Sequence, residues 1–367
     1  MGFPRHRAWR VTLLAVLTSA LAVAAIGWLK VDGFERVEQP MPEAAYDRCP
    51  SLGVAGPMEW ESMSPQDFRF MVAEMDTMGA EWIRLGVIWR DIEPSPGVYR
   101  WEALDERLNI ALDAGLRPLL LIHTTPAWVT GFGTVGSGAA EQYAQFAAEV
   151  AERYRDQADA YEIWNEPNIA RFWDRPSPES YAELLTATAP LLREIDPDAE
   201  VVSAGLAPAL NIEDYSVTID RFLRGLYELD ALRDVTAVGI HPYSYPEMPS
   251  GSAHWNTFAQ LPKIQAIMHS HGDYTRSIWL TEYGAPSAGE GGVGTALQAD
   301  MVVEALQLTD DSRYLGPIFM YTMYDLDLGA EDRESYFGLL YGPGDPKPAY
   351  LQLRDAAEQC ALLSDGD

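Results

Sequence analysis

Residues 159–170 read Asp-Ala-Tyr-Glu-Ile-Trp-Asn-Glu-Pro-Asn-Ile-Ala. The apolar, aromatic-rich run at residues 161–164 indicates a short buried strand. Pro167 must end this strand, because proline has no N–H to donate to a central ladder. Glu166 is therefore predicted at the end of a strand, with the amide of Asn165 beside it.

The same pattern, an apolar run followed by a helix-like segment, recurs along the chain. The predicted strands start near residues 52, 82, 118, 160, 201, 236, 278 and 317. This spacing of roughly 30 to 42 residues is typical of βα units, and the near-continuous apolar runs indicate strands covered on both sides. Eight such units predict a single closed (β/α)8 barrel. An open doubly wound sheet is the alternative, disfavoured because a glycine-rich phosphate turn is missing after the first strand.

The first helix carries its own start and stop signals. Ser64 suits the N-cap, Pro65 suits the first turn, and Gly79 suits the C-terminal end. Apolar residues recur between them at helical spacing, which predicts an amphipathic helix. Further helices are predicted near residues 103–114, 140–154, 178–195, 214–229, 257–271, 295–308 and 349–362.

Composition limits the class of protein. The 367 residues include 55 acidic and 26 basic side chains, for a net charge of −29. No basic stripe is visible, so nucleic-acid binding is not expected. The length fits one α/β barrel of about 250 to 400 residues, or two smaller domains.

The N-terminal segment differs in character from the remainder. Three arginines precede residues 11–29, which carry no charge over about the length of one membrane span. Ala-Val-Ala at residues 22–24 offers a small-x-small cleavage site. We expect a signal-anchor that is retained in the membrane, with a cleaved signal peptide as the alternative.

This segment sets the expected layout and location. Residues 1–30 form the anchor or signal peptide, residues 31–48 a linker, and residues 49–363 the barrel domain. The barrel would lie outside the cytoplasm in either case, anchored to the membrane through the N-terminal helix or secreted.

Two cysteines, Cys49 and Cys360, bracket the predicted barrel. In an oxidising compartment a single pair at the two ends favours a disulfide. Two unrelated buried thiols are the alternative. Neither cysteine has a His or Cys cluster near it at the spacing of metal ligands, so we predict no metal site and no cofactor.

The residues that end the predicted strands form the candidate site, because the active site of such a barrel lies at the C-terminal ends of its strands. Strand four ends at Asn165 and Glu166, and strand seven ends at Glu282. Two glutamates among aromatic side chains are what cleavage of a glycosidic bond requires. Other strand ends contribute His123, Trp128, His241, Tyr243 and Tyr324.

Several of these motifs resemble a known group of enzymes. Asn-Glu-Pro at 165–167, paired with Thr-Glu-Tyr-Gly at 281–284, resembles the large clan of retaining glycoside hydrolases with (β/α)8 barrels. The motifs at 164–168, 125–128 and 239–243 resemble most closely family 39 and its bacterial exopolysaccharide-cleaving relatives. The resemblance covers about residues 50–362.

The resemblance implies a role for each residue of the site. Glu166 is expected to be the general acid/base and Glu282 the nucleophile. Asn165 would bind the 2-hydroxyl of the attacked sugar, Tyr243 would hydrogen-bond Glu282, and Arg84 would lie beneath Glu282.

The residues themselves support the same division of roles. An adjacent arginine keeps a carboxylate ionised, so Arg84 is expected to hold Glu282 in the form that a nucleophile requires. Glu166 has no cation adjacent in sequence and can carry a proton. Arg84 is equally well explained as an ion pair of the barrel interior without a catalytic task.

Several aromatic candidates have two interpretations. His123 and His241 suit either the site or satisfied core positions. Trp128 and Trp173 suit either sugar platforms or the core, and the loop position of Trp173 favours an exposed platform. The floor of the sugar subsite stays unassigned, because relatives often carry tryptophan on strand eight, where this chain has Tyr-Thr-Met-Tyr ending at Tyr324.

The predicted function is retaining hydrolysis of a poly- or oligosaccharide by a monomer, with the two carboxyl groups about 5 to 5.5 Å apart. A transglycosylase would use the same two glutamates. A non-catalytic carbohydrate-binding barrel is disfavoured because both glutamates are present. A metal-dependent barrel hydrolase is disfavoured because no strand end shows a His-x-His pair or a His/Asp cluster.

Overall fold

A computed structural model of the chain describes residues 51–57, 60, 62–130 and 139–364. The predicted N-terminal anchor, the linker and Cys49 lie outside these residues, as does the side chain of Cys360. The anchor and the disulfide therefore stay predictions. Within the described part, no helix combines the length and the apolar character that crossing a membrane requires.

Eight parallel strands follow one another around a closed barrel, and the last pairs with the first. Each begins within two residues of its predicted start, so the predicted (β/α)8 barrel is confirmed and the open sheet is wrong. The strands are β1 (Leu52–Ala55), β2 (Trp82–Ile88), β3 (Arg117–His123), β4 (Ala160–Ile163), β5 (Glu200–Ser203), β6 (Ala237–Ile240), β7 (Ser277–Tyr283) and β8 (Leu315–Met320).

Helices surround the barrel in the described part of the chain. They are α1 (Pro65–Met78), α2 (Trp89–Ile92), α3 (Glu102–Asp113), α4 (Ala127–Thr130), α5 (Ala140–Tyr154), α6 (Pro178–Ile195), α7 (Ile219–Glu228), α8 (Leu261–Ser270), α9 (Thr295–Asp310) and α10 (Pro348–Ser364). Short 3-10 turns cover Phe258–Gln260 and Arg333–Tyr336, and a small hairpin sheet, β9 (Leu340–Gly342) with β10 (Asp345–Pro346), was not predicted.

Helix termini show where local sequence signals are enough to predict a helix boundary and where they are not. At α1 the side chain of Ser64 accepts the Asp67 N–H, and Gly79 adopts a left-handed φ of 86°, as the sequence predicts. Helix α7 begins five residues after its predicted start at 214. The intervening chain forms a turn instead, in which the Ser216 N–H donates to the Ile212 carbonyl at 2.9 Å.

The barrel interior changes from apolar to charged along the strands. Its lower layer takes one side chain from each strand: Ala55, Trp82, Leu119, Ala160, Val202, Ala237, Trp279 and Phe319. Side chains on one face of a strand recur every two residues. Two positions beyond this layer, β2 places Arg84 and β4 places Glu162 in the interior, both at most 1% exposed. The charged layer lies towards the C-terminal ends of the strands, below the predicted site.

Candidate active site

A buried arginine joins the strands that carry the two predicted glutamates. Arg84 donates from Nε to Glu162 Oε2 at 2.6 Å, from Nη1 to Glu282 Oε1 at 2.7 Å, and from Nη2 to Asn165 Oδ1 at 2.9 Å. Burial alone would lower the pKa of Arg84, but the charges of Glu162 and Glu282 outweigh burial and raise it. The arginine is thus both an interior ion pair and a direct contact of the site.

Glu162 was missed by the sequence analysis. It is fully buried, and its Oε1 accepts the Gly205 N–H at 2.9 Å and the Thr281 hydroxyl at 3.0 Å. A carboxylate inside a buried strand requires a charged partner. The opposite charge inside β2, Arg84, was the signal from which this pair could have been found.

Glu282 is held as a carboxylate. Burial by itself would raise its pKa, but the charges of His241 and Arg84 and a hydrogen bond from Tyr243 outweigh burial and keep the pKa below its ordinary value. The Tyr243 hydroxyl donates to Glu282 Oε2 at 3.0 Å. Glu282 is therefore ionised at neutral pH, as a nucleophile must be.

The Tyr243 contact leads to a prediction about pH. We expect Tyr243→Phe to move the acidic limb of the activity profile to higher pH, because the variant loses a hydrogen bond that stabilises ionised Glu282 and so lowers its pKa. The measurement is kcat/KM against pH, which reports the ionisation of the free enzyme. Tyr274→Phe, at a position 72% exposed, is the matched control. An acidic limb that stays in place in Tyr243→Phe would contradict the assignment.

His241 links the second glutamate to the buried charges. Its Nδ1 lies 2.8 Å from Glu166 Oε1, and its Nε2 lies 3.1 Å from Thr281 Oγ1. The Thr281 hydroxyl donates its proton to Glu162 Oε1, so the Thr281 oxygen accepts from Nε2–H. The short contact between Nδ1 and Glu166 is therefore bridged by one shared proton.

No cation adjoins Glu166 in the sequence, but in the structure the imidazole of His241 lies beside it. Burial alone would lower the pKa of His241, but the charge of Glu282 and the hydrogen bond to Glu166 outweigh burial and raise it. His241 is fully buried and is not part of the cleft lining. Its contact is with the two glutamates, so the predicted direct contact between His241 and substrate is wrong.

The two glutamates and His241 are close together. One oxygen of each carboxylate and a ring nitrogen of the histidine lie within 4.8 Å of one another, a spacing that a metal ion could also use. Each group already has protein partners: Arg84 and Tyr243 donate to Glu282, and Glu166 bonds the ring. The expectation that no metal takes part stays a prediction.

The backbone at the end of β4 is strained at the residues around Glu166. Trp164 and Glu166 have φ values of 74° and 45°. Such left-handed conformations cost non-glycine residues about 1 to 3 kcal/mol and occur preferentially at functional sites. The Glu166 N–H donates to the Gly205 carbonyl at 3.1 Å, which anchors the turn. A Cβ added at Gly205 would lie 2.0 Å from His241 Nε2, so this position requires glycine.

A cleft of about 1050 Å³ opens above this cluster. Its lining includes six predicted site residues: Arg84, His123, Asn165, Glu166, Tyr243 and Glu282. Burial and the charges of Arg84 and Arg90 lower the pKa of His123 to about 3, so its imidazole is neutral. Tyr321, directly after β8, also lines the cleft.

Trp173 does not form an exposed platform. The Trp173 N–H donates to the Ile169 carbonyl at 3.1 Å, which turns the loop back on itself. The ring is fully buried, packs edge-on against Trp164 at 5.6 Å, and donates to the Ser180 hydroxyl at 2.8 Å. The prediction that Trp173 contacts sugar is wrong, because the loop buries it in the core.

Two other aromatic side chains that were predicted to contact substrate, Tyr324 and Trp128, lie outside the cleft lining. Tyr324 is buried outside the cleft lining, where its hydroxyl bonds the carboxylate of Glu74 on α1, and its predicted contact with substrate stays a prediction. Trp128 is 37% exposed and donates to the Glu93 carbonyl at 3.0 Å, outside the cleft lining and close to residues 131–138, which are not described. Its contact with substrate stays a prediction.

The sequence model of a known family matches most of the barrel. The model of the family "Cellulase (glycosyl hydrolase family 5)" matches residues 51–313, a span that includes Glu166 and Glu282. The chain belongs to glycosyl hydrolase family 5. The predicted clan of (β/α)8 glycoside hydrolases is thereby confirmed. A comparison with curated proteins gave no match.

Solved structures of family 39 and family 5 proteins share the fold of this family 5 protein. A family 39 glycoside hydrolase from Bacteroides cellulosilyticus WH2 is 20% identical, with a TM-score of 0.69 over 86% of this chain and 65% of that one. A monomeric beta-xylosidase from Caulobacter crescentus CB15 is 18% identical, with a TM-score of 0.65 over 84% and 68%.

A GH5_18 protein from Streptomyces cattleya, in complex with Manb1-4GlcNAc, is 17% identical, with a TM-score of 0.66 over 84% of this chain and 80% of that one. At these identities the likeness establishes the fold alone. The predicted resemblance to family 39 is reflected in one of the three structures, whereas the matching sequence model is that of family 5. This family 5 protein spans about two thirds of the length of the family 39 protein and the xylosidase.

Proposed function

We propose that this family 5 protein cleaves O-glycosidic bonds of a poly- or oligosaccharide with retention of configuration, by double displacement. The observation that carries the proposal is the approach of Glu166 and Glu282, whose nearest oxygens lie within 4.8 Å. Retaining enzymes place the two carboxyl groups about 5 to 5.5 Å apart, whereas inverting enzymes leave roughly 6.5 to 9.5 Å for a water. The close approach favours retention.

Glu282 is assigned the role of nucleophile. In the first step its carboxylate attacks the anomeric carbon as the bond to the leaving oxygen breaks, which gives a covalent glycosyl-enzyme. Arg84 and Tyr243 hold one Glu282 oxygen each, which keeps the group ionised and fixes its direction. In the second step water attacks the anomeric carbon, and the bond to Glu282 breaks.

Glu166 is assigned the role of general acid and base. The proton shared with His241 Nδ1 passes through Glu166 to the leaving oxygen in the first step, and Glu166 takes a proton from the attacking water in the second. The series of hydrogen bonds from Glu162 through Thr281 to His241 supports this role. It occupies Nε2 of His241 and leaves Nδ1 to face Glu166.

Asn165 is assigned to the 2-hydroxyl of the attacked sugar. Its Oδ1 accepts from Arg84 at 2.9 Å, so its amide N–H groups are the donors that it can offer to a substrate in the cleft. The interaction would strengthen as the charge at the anomeric carbon develops.

Azide rescue tests the assignment of Glu166. We expect Glu166→Ala to lose about 10²- to 10⁴-fold in kcat on substrates with poor leaving groups, the usual contribution of a positioned acid. Aryl glycosides with good leaving groups need little protonation, so they should still form the glycosyl-enzyme. Azide should then restore turnover and give a glycosyl azide of retained configuration.

The controls for this experiment are the unchanged enzyme and Glu247→Ala, an exposed glutamate outside the cleft lining. Neither should respond to azide. A glycosyl azide of inverted configuration from Glu166→Ala would mean that the roles of the two glutamates are exchanged.

The identity of the sugar requires a panel of aryl glycosides and polysaccharides. Products are analysed for transfer to other sugars as well as for hydrolysis, because a transglycosylase would use the same two glutamates. Absence of any cleavage by the purified enzyme would contradict the proposed function.

We also propose that the enzyme is a monomer and that the barrel lies outside the cytoplasm. The support for this location is the uncharged segment at residues 11–29 with arginines before it. Cell fractionation distinguishes the anchored form from a secreted form.

A further inference from the structure

Part of the cleft lining is apolar. It is formed by the loops after β4, β5 and β6 and by the helices that follow two of them. The members of this apolar wall are Ile169, Ala207, Pro208, Leu210, Ile219, Trp255 and Ile264. Leu210 is 73% exposed and Trp255 is 42% exposed. Single exposed apolar side chains are common, but several gathered in a cleft mark a binding site.

The exposure of Leu210 is not that of a loose loop. Asn168 is fully buried and bonds both edges of the loop: its Nδ2 donates to the carbonyls of Ala207 at 2.8 Å and Val217 at 3.0 Å. The Ser216 hydroxyl donates to the Leu210 carbonyl itself at 2.7 Å. The loop therefore holds Leu210 at the cleft in a defined place.

Several polar side chains on the same side of the cleft already bond to protein groups, whereas Arg171 and His254, which also line it, are exposed. Lys263 Nζ lies 3.3 Å from Asp220 Oδ2, Thr218 Oγ1 donates to Asn211 at 3.3 Å, and the Gln260 amide donates to a backbone carbonyl at 2.9 Å. A row of sugar units would require many donors and acceptors directed at its hydroxyls. The side chains of the apolar wall offer exposed apolar surface instead.

The position of the apolar wall relative to Glu166 indicates which part of the substrate contacts the wall. In the proposed function, Glu166 protonates the oxygen of the leaving group. Ile169 lies three residues beyond Glu166 in the loop after β4, and the loop that carries Leu210 pairs with it through an Ile169–Ser216 bridge. The apolar wall therefore begins next to the residue that would protonate the leaving group.

We infer that the aglycone of the natural substrate carries a linear alkyl or acyl chain, which binds along the apolar wall with Leu210 and Trp255 as its main contacts. This inference rests on the proposed function, since it assigns the leaving-group side from the role of Glu166. Covering the wall would remove apolar surface of both partners from water, the driving force for such binding.

A series of n-alkyl glycosides from ethyl to octyl tests the inference. The glycosides carry the sugar and anomeric configuration that the aryl panel identifies. Each is assayed below its critical micelle concentration, and the chains that form micelles are also assayed above it. Leaving-group chemistry is nearly constant along the series, so kcat/KM reports chain binding. We expect kcat/KM to rise by up to about fourfold per added methylene over the length that the wall covers.

Variants locate the effect on the wall. In the double variant Leu210→Ser/Trp255→Ser, kcat/KM for each glycoside is divided by the variant's own value for the ethyl glycoside. The rise of this ratio with chain length should be largely lost. Leu229→Ser is the matched control, because Leu229 is 44% exposed at the end of α7 and outside the cleft lining. This control should keep the full rise.

Three results would overturn the inference. One is a series that is flat in the unchanged enzyme. Another is a rise that persists in the double variant, and the third is a rise that begins only above the micelle concentration, which would indicate binding to a lipid surface. Each is distinguishable from failure of the proposed function, which would appear as no hydrolysis of any aryl glycoside.

Discussion

Glu282→Ala is expected to reduce kcat on an aryl glycoside by on the order of 10⁶-fold, the scale of loss seen when a covalent nucleophile is removed. The glycosyl-enzyme cannot form without the Glu282 carboxylate. The fold should survive, because Arg84 keeps its ion pair with the buried Glu162 at 2.6 Å. The measurement is the steady-state rate together with the thermal unfolding temperature.

The matched control is again Glu247→Ala, which removes an exposed glutamate and should leave kcat unchanged. A folded Glu282→Ala enzyme that keeps more than about one hundredth of the activity would place the nucleophile elsewhere, because general acid catalysis alone contributes 10²- to 10⁴-fold.

Arg84→Met is expected to lower the free energy of unfolding by about 3 to 5 kcal/mol, the cost of leaving a buried charge without its partner. Arg84 is 1% exposed and serves both Glu162 and Glu282. Methionine keeps the apolar stem but leaves two carboxylates close together without a cation. Activity should fall as well, because Glu282 loses the charge that keeps it ionised.

Denaturant unfolding at several pH values measures this effect. Protonation relieves an unpaired carboxylate, so the stability deficit of Arg84→Met should shrink as the pH falls. Arg117→Met is the control, since Arg117 in β3 forms an exposed ion pair with Asp159 at 2.8 Å that should be worth about 1 kcal/mol at most. Equal losses in the two variants would mean that Arg84 has no special part in the charged layer.

Strand starts and the closing of the barrel were predictable from the sequence because they depend on local patterns. A buried parallel strand reads as an apolar run whatever its neighbours, and the spacing of such runs fixes the number of βα units. The placement of Glu166 and Glu282 follows, since both lie at strand ends on one side of the barrel.

Contacts across the barrel were not predictable in the same way. His241 bonds Glu166 over 75 residues of separation and Thr281 over 40, and neither pairing leaves a local pattern. Trp173 looked exposed because a polar loop surrounds it, but its burial depends on a turn back onto Trp164. Glu162 was hidden within an aromatic run, although a carboxylate there implied Arg84 as its partner.

The most direct test of the account is to trap the covalent intermediate. An aryl 2-deoxy-2-fluoro glycoside of the sugar identified by the panel slows both chemical steps, and a good leaving group restores the first, so the glycosyl-enzyme accumulates. Intact mass and peptide mapping then locate the added sugar. The account predicts one glycosyl unit per chain, attached to Glu282. A sugar attached to Glu166, or no attachment together with a product of inverted configuration, would contradict it.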